Sequence, residues 1–388
     1  MAVDFMIYHQ VMNAPLSLTE GPLWRVRMVP LQEYAPGPHG LPAGGQHRCV
    51  LVLAVNHTLA DSLTNHVILR DAVTLINASM SGRCVESPVR PVMPPLTDQL
   101  EPNDWWSAFK YIVYKSSRSC WKGYRGFNVT AYFNGLLPQP ETRVAETRVL
   151  YDALSEDETR RLVQLCRRRG VTVHSFVNAG ARVALFLVAQ HRSNGTPLRS
   201  APTSVCNAIN LRRYMEPQHK ELLGNHVCMD ELELDVTQEH AASVEGLWSL
   251  AQVLHQDLQR SLNHDFRAIK HIRSMPVFSV FTWANLQLTK RGKKNLLDCH
   301  IVTTNMGNLE KLLPDSYDGP VSLYDVLRSV NAQFYGQMIL LTYHTFAQRF
   351  MISLDYYTTK MTDECAREFQ KHLMKNIRSI LHESVTIK

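Results

Sequence analysis

The stretch from Cys49 to Leu75 constrains the fold more than any other part of the chain. It begins with seven apolar or small residues, CVLVLAV, which predict a buried strand over 49–55. After NHTLADS, apolar residues recur at helical spacing and predict a helix from Leu63 to Ala78. His57 and Asp61 therefore lie at a junction between a strand and a helix. A histidine at such a junction can sit in a cleft and still reach a ligand, so His57 is a candidate catalytic base.

Length and charge limit the classes of protein that this chain can be. A chain of 388 residues is too long for one simple core, which predicts two lobes. The net charge of +6 includes no long run of Lys and Arg. Such a surface accepts small anionic ligands but does not indicate a nucleic-acid partner.

Cysteine spacing and hydropathy predict a cytoplasmic protein without a metal site. No segment has 18 consecutive apolar residues, and the opening MAVDFMIYHQ lacks the basic region of a signal peptide. The eight cysteines are scattered singly, with no Cys-x-x-Cys pair. This pattern is typical of free thiols in a reducing compartment and not of a disulfide frame or a zinc site.

Residues before the expected lobe boundary include a second strand, two irregular segments and a basic, aromatic segment with the character of an amphipathic helix. Residues Gly21 to Pro30 alternate Trp, Val and Met with Leu and Arg, which predicts a half-buried strand antiparallel to 49–55. Glycine and proline predict a loop over 33–47, and prolines predict an extended crossover over 88–102. The aromatic and basic segment 104–133 can contact a membrane or line an apolar channel, but docking between the lobes is the favoured interpretation.

We place the boundary between the lobes near Thr142–Val149, giving an N-terminal lobe of residues 1–145 and a C-terminal lobe of 146–388. Beyond it, Ser155 and Glu158 form a predicted capping box. The further elements expected are a helix ending at Gly170, a long helix capped by Thr172, helices over Glu239–Leu262 and Asp363–Leu381, and strands over Thr203–Asn210, Asn225–Val236, Val277–Trp283, Cys299–Thr304, Met338–Thr345 and Arg349–Tyr357. Strands and helices mixed in both halves predict an α/β protein.

The His-x-x-x-Asp spacing carries little information alone, because it occurs twice. The second copy, His226 and Asp230, lies in NHVCMDELELDV, where alternation predicts a strand face that is polar or solvated. Only the first copy follows an apolar strand and precedes a helix.

Several segments together resemble the chloramphenicol acetyltransferase-like superfamily of acyltransferases, which includes nonribosomal-peptide condensation domains, polyketide-associated acyltransferases and alcohol acetyltransferases. Its signature is His-His-x-x-x-Asp-Gly, and residues 56–62 read NHTLADS. The resemblance extends over nearly the whole chain, through PLWRV, LSEDETRRLVQLCRRRGVTVHSFVNAGARVAL, NAINLRRYM followed by LLGNHV, and TTNMG at 303–307.

Three departures from the family pattern affect the expected activity. Asn56 replaces the first motif histidine, and Ser62 replaces the glycine. The Asp-Phe-Gly-Trp-Gly segment is absent. Family members also carry a further strand and helix before PLWRV, where this chain has only residues 1–21, so we expect a first lobe that is shortened or completed differently.

The resemblance implies a fold and a division of roles among residues. Two lobes, each a mixed sheet flanked by helices, would meet along a tunnel with His57 at its midpoint as general base. Asp61 would be a structural brace paired with Arg212, since a buried carboxylate needs a counterion. Asn305, or backbone N–H groups near TTNMG, would stabilise the oxyanion.

The function implied is transfer of an acyl group from a thioester, with acyl-CoA as co-substrate and no permanently bound cofactor, to a small-molecule hydroxyl or amine acceptor. A catalytically silent binding protein is the alternative, because of Asn56, Ser62 and the short first lobe. A serine or cysteine hydrolase is disfavoured, because the chain has no Gly-x-Ser-x-Gly elbow.

Overall fold

The computed structural model describes residues 5–31, 48–85, 129–138, 144–193, 197–217, 222–263, 299–310, 319–331 and 337–382, with the single residues 106, 109, 113, 140, 312, 313 and 317. The predicted strand Val277–Trp283, the loop 33–47, the crossover 88–102 and most of the aromatic segment 104–133 lie outside the described residues.

The described helices lie on both sides of the expected lobe boundary. They are α1 (Phe5–Asn13), α2 (Ser62–Met80), α3 (Val129–Leu136), α4 (Glu156–Arg168), α5 (Val173–His191), α6 (Gln238–Ala242), α7 (Val244–Asn263) and α8 (Asp363–Ser379), with short 3-10 turns at Leu211–Tyr214 and Ile380–His382.

The described strands form two sheets. They are β1 (Trp24–Leu31), β2 (Arg48–Val55), β3 (Thr147–Ala153), β4 (Ser200–Asn210), β5 (Val227–Thr237), β6 (Ile301–Asn308), β7 (Ile339–Phe346) and β8 (Arg349–Tyr357). β1 and β2 pair antiparallel, with Trp24 opposite Val55. The other six form a sheet in the order β3-β8-β7-β6-β4-β5, in which β4, β6 and β7 are parallel neighbours and the remaining pairs are antiparallel.

The six-stranded sheet and its helices surround the main core. α5 packs against α7 and α8 on one face of the sheet. Phe176 of α5 and Trp248 of α7 are both fully buried, with ring centroids 4.5 Å apart. This mixed sheet with flanking helices confirms the predicted α/β class, because the apolar periodicities of strands and helices converge on one interior.

Helix ends follow the capping signals of the sequence. Ser155 accepts a hydrogen bond from Glu158 N, and the Glu158 carboxylate accepts one from Ser155 N, so the predicted capping box is present. Gly170 has φ 67°, a conformation that glycine adopts without steric cost, and it ends the turn after α4. Thr172 caps α5.

Three expectations are wrong. The apolar side chains of β1 are not half-buried: Trp24, Val26 and Met28 are 53%, 50% and 68% exposed. The helix expected over Glu239–Leu262 is two helices, α6 and α7, because Ser243 between them has an extended backbone. The face of β5 predicted to be solvated is covered by protein.

The sequence patterns did not predict α1 and β3. They lie together, since Asn13 Nδ2 donates to Thr147 O at 3.0 Å and Thr147 N donates to Asn13 Oδ1 at 2.8 Å. α1 therefore supplies the hydrogen bonds that the edge strand β3 would otherwise lack.

No single helix within the described ranges has both the length and the hydropathy of a membrane span. The pair α4 and α5 meets the criteria only jointly, and the two helices are bent by 99° at their junction.

Candidate active site

His57 lies in the turn that joins β2 to α2, as the strand and helix pattern predicts. Asn56 N donates to Leu23 O at 2.8 Å, which continues the pairing of β1 with β2 up to this turn. Asn56 Oδ1 accepts from Thr58 N at 3.0 Å and from Thr58 Oγ1 at 2.7 Å. The asparagine that replaces the first motif histidine thus closes the turn around His57 with its own side chain.

Asp61 caps α2 and is 1% exposed. Its Oδ1 accepts from Thr64 N at 2.9 Å, and its Oδ2 accepts from His226 N at 3.1 Å. Burial alone would raise the pKa of Asp61, but the hydrogen bonds and charge of Arg212, with the two N–H groups, hold that pKa below its usual value. Asp61 is therefore an ionised structural carboxylate at neutral pH.

Arg212 lies in the 3-10 turn after β4 and pairs with Asp61, so the structure brings these two predicted residues together. Its Nη1 lies 2.5 Å from Asp61 Oδ2, and its Nη2 lies 3.2 Å from Asp61 Oδ1. Arg212 Nη2 also donates to Thr64 Oγ1 at 3.0 Å. Thr64 Oγ1 in turn donates to Gly224 O and accepts from Gly224 N, so the start of α2 is locked to the segment before β5.

Asn225, which the sequence did not indicate as a site residue, binds His57 although it lies 168 positions further along the chain. Its Nδ2 donates to His57 O at 2.8 Å and lies 3.3 Å from His57 Nδ1. Asn225 therefore contacts both the backbone and one edge of the ring of His57.

The surroundings of His57 favour its neutral form. The residue is exposed to solvent. Partial loss of water around the ring lowers the pKa of His57, and the positive charge of Arg328 lowers it further, while its own carbonyl and Asp61 oppose this shift. A neutral imidazole has one ring nitrogen with a lone pair, which can accept a proton at neutral pH.

The structure does not bring Asn305 into hydrogen-bonding contact with His57 within the described residues. Asn305 is exposed on β6, and its Oδ1 accepts from Gly307 N at 2.8 Å. The next residue, Met306, contacts Arg328, whose charge acts on His57. The TTNMG turn therefore contacts Arg328, and the charge of Arg328 in turn lowers the pKa of His57.

The second His-x-x-x-Asp copy does not form a solvated strand face. It is buried, and its histidine backbone hydrogen-bonds to the aspartate of the first copy. His226 and Asp230 are each 1% exposed. His226 N binds the Asp61 carboxylate, and Asp230 Oδ2 accepts from Ser261 Oγ at 2.7 Å. Alternation along β5 predicted which side chains share a face, but α7 and the start of α2 cover that face.

Solved structures with a similar fold include an acetyltransferase, a bidomain of a nonribosomal peptide synthetase and a polyketide synthase associated protein. The TRI3 trichothecene 15-O-acetyltransferase from Fusarium sporotrichioides superposes with a TM-score of 0.63 at 12% identity, over 91% of this chain and 70% of that one. The EpoB nonribosomal peptide synthetase cyclization-docking bidomain from Sorangium cellulosum gives 0.58 at 15% identity, over 98% and 67%. Polyketide synthase associated protein 5 from Mycobacterium tuberculosis gives 0.53 at 14% identity, over 95% and 79%.

Neither a protein-family model nor a curated protein matches the sequence. At these identities the structural likeness concerns the fold, and it agrees with the order of the motifs in the sequence. The chain has the fold of the chloramphenicol acetyltransferase-like and condensation-domain superfamily.

Proposed function

We propose that this protein is an acyltransferase that moves an acyl group from a thioester, acyl-CoA, to a hydroxyl or amine acceptor, with His57 as general base. The observation that carries the proposal is the position of His57: β2 leads into the turn that presents it, Asn225 binds its carbonyl, and the loss of water around its ring lowers its pKa, so the imidazole is neutral. The shared fold with a 15-O-acetyltransferase supports the same chemistry.

Residues 1–145 and 146–388 form the two lobes of this enzyme, and the substrates meet in a tunnel between them. Contacts across the boundary support this arrangement: Asp61 binds Arg212, and Asn77 Nδ2 donates to Val321 O at 2.8 Å. The thioester enters from one face and the acceptor from the other, with His57 where they meet.

The reaction needs one residue that first accepts a proton and then returns it. The neutral imidazole of His57 takes the proton of the acceptor O–H or N–H while the acceptor atom attacks the thioester carbonyl carbon. The tetrahedral intermediate then expels the thiolate, which receives the same proton from the imidazolium. Acid–base help of this kind contributes about 10² to 10⁴ in rate. Asn305 Nδ2 is our candidate donor to the oxyanion.

A catalytically silent binding protein is the second candidate, because Asn56 and Ser62 replace two motif residues. The structure around Asn56 and Ser62 makes the silent protein the less favoured candidate. Asn56 closes the turn around His57, and Ser62 begins α2, with its carbonyl bound by His66 Nδ1.

The test compares wild-type protein with His57→Ala, using His382→Ala as a control for loss of an exposed histidine. Thiol release and mass spectrometry of products follow incubation with acetyl-, butyryl- and octanoyl-CoA and a small-molecule cell extract. We expect His57→Ala to melt like wild type and to lose transfer by about 10² or more. Wild-type turnover by the folded variant would overturn the proposal, and binding of acyl-CoA without thiol release by wild type would favour the silent protein.

A further inference from the structure

Arg328 is a buried cation without a counterion in contact. The residue is 9% exposed, and its Nη1 lies 3.5 Å from the sulfur of Met306. In the part of the chain that the structure describes, its guanidinium makes no other hydrogen bond and no ion pair. A thioether sulfur is a weak acceptor, and buried arginines are otherwise paired with carboxylates. The head group therefore keeps most of its donors for a partner that is not part of the protein.

Neighbouring carboxylates do not neutralise Arg328. Asp61 is bound to Arg212. Asp355 is fully buried and accepts from Ser329 Oγ and, at 2.9 Å, from Val330 N. Burial raises the pKa of Asp355 to about 7, so a large part of it is protonated at neutral pH. Burial lowers the pKa of Arg328 to about 10, which leaves the guanidinium charged.

The unpaired donors of Arg328 lie in space that solvent reaches. Its Nε and Nη2 have no hydrogen-bond partner within the described chain, yet neither is among the fully enclosed unpaired atoms. Arg328 is 9% exposed, so these donors are accessible to a small ligand group although most of the residue is buried.

A second unpaired polar atom lies near the same charge. His344 on β7 is 3% exposed, and its Nε2 donates to Val326 O at 3.0 Å. Its Nδ1 is enclosed and has no hydrogen-bond partner among the described residues. The charge of Arg328 lowers the pKa of His344, of His66 on α2 and of His57.

We propose that Arg328 binds a carboxylate carried by one of the two substrates that meet at His57, so that this enzyme handles a dicarboxylic acyl group or an acidic acceptor. The inference rests on the proposed function. The planar guanidinium offers Nε and Nη2 to the two carboxylate oxygens in a bidentate arrangement. Anchoring the carboxylate at Arg328 holds the reacting end of the ligand near His57.

The binding test uses the full chain carrying His57→Ala, so that no turnover occurs and binding is measured apart from activity. In the donor arm, calorimetry compares succinyl-CoA with butyryl-CoA, which has the same chain length without the carboxylate. In the acceptor arm, lactate is compared with propane-1,2-diol. We expect the acidic ligand of one arm to bind about 10-fold or more tightly than its neutral partner, and the arm identifies which substrate carries the carboxylate.

Variants of the arginine decide the role of the charge. Arg328→Gln should abolish the preference, Arg328→Lys should keep part of it, and Arg213→Gln should leave it unchanged, since Arg213 is an exposed arginine. No preference in either arm, or a preference that survives Arg328→Gln, would overturn the proposal. Loss of transfer in His57→Ala would not bear on it.

Thermal melting separates binding from a structural role without any ligand. Arg328→Met removes a buried unpaired charge and should raise Tm or leave it unchanged, whereas removal of a structural arginine would lower it. A fall in Tm in both Arg328→Met and Arg328→Gln would contradict the proposal. This result does not depend on any ligand-binding measurement.

Discussion

Arg212 Nη1 lies 2.5 Å from Asp61 Oδ2, although the two residues are 151 positions apart in the chain. Their side chains are 8% and 2% exposed, so the pair is shielded from water. Arg212→Met leaves the Asp61 carboxylate buried without its counterion, and we expect it to lower the free energy of unfolding by about 3–5 kcal/mol. Urea denaturation followed by circular dichroism measures this loss.

Two further variants test whether charge pairing is the cause. Asp61→Asn with Arg212→Met should recover part of the loss, because asparagine still caps α2 and carries no charge. Arg160→Ala breaks the exposed pair with Asp157 and should cost less than about 1 kcal/mol. Equal stability of Arg212→Met and Arg160→Ala would contradict a structural role for the buried pair.

Asn225→Ala should impair catalysis more than stability. It removes the hydrogen bond to His57 O, so the imidazole loses its orientation, and kcat should fall by about 10- to 100-fold with little change in KM for acyl-CoA. Steady-state kinetics measure both constants, and Asn308→Ala, at another exposed asparagine, is the control. An unchanged kcat, or a rise in KM alone, would show that Asn225 does not position the base.

Stability should fall as the solution becomes acidic below about pH 6.5. Burial lowers the pKa of His66 and His226 to about 4 and that of His344 to about 3. Between those values and the pKa of an unfolded histidine, the unfolded chain binds more protons than the folded one, so stability is present above pH 6.5 and is lost toward pH 4.

Each of these histidines contributes about 1 kcal/mol per pH unit within that window. Urea midpoints at pH 7.5, 6 and 5 measure the slope. His344→Gln should reduce it, whereas His382→Gln, at an exposed position, should not. A midpoint that stays constant from pH 7.5 to 5 would rule out neutral buried imidazoles.

Asn77 should make a stabilising contact between α2 and the segment around Val321. Its side chain exchanges two hydrogen bonds with the backbone of Val321, at 2.7 and 2.8 Å. Asn77→Ala leaves two backbone groups unpaired and should cost about 2 kcal/mol, measured by urea denaturation. Ser79→Ala, exposed on the same helix, should cost little.

Gly319→Ala tests the same contact from the other side. A Cβ at position 319 would lie 2.4 Å from Asn77 Oδ1, and Gly319 has φ 154°. Gly319→Ala should therefore destabilise the protein at least as much as Asn77→Ala. A neutral effect of both substitutions would show that the lobes do not depend on this contact.

Local structure was readable from the sequence because it depends on residues close together in the chain. The junction of β2 and α2, the pairing of β1 with β2 and the capping box at Ser155 follow from apolar periodicity and short-range hydrogen bonds. The same reasoning failed for α6 and α7, since periodicity continues across the extended residue Ser243.

Burial was harder to predict than secondary structure. β1 has the alternation of a half-buried strand, yet Trp24 and Met28 are exposed; His226 was expected in solvent, yet it is buried. Alternation tells which side chains share a face, but which face is covered depends on elements that are distant in sequence.

The sequence by itself determined the α/β class, the turn that presents His57 and the choice of Asp61 and Arg212 as partners. Only the tertiary structure placed Asn225 on the carbonyl of His57, 168 positions away, and left the buried Arg328 without an ion pair among the described residues. The physical reason is that side-chain hydrogen bonds, burial and electrostatic fields act through a few ångströms of space, and residues that share such a space need share no pattern along the chain.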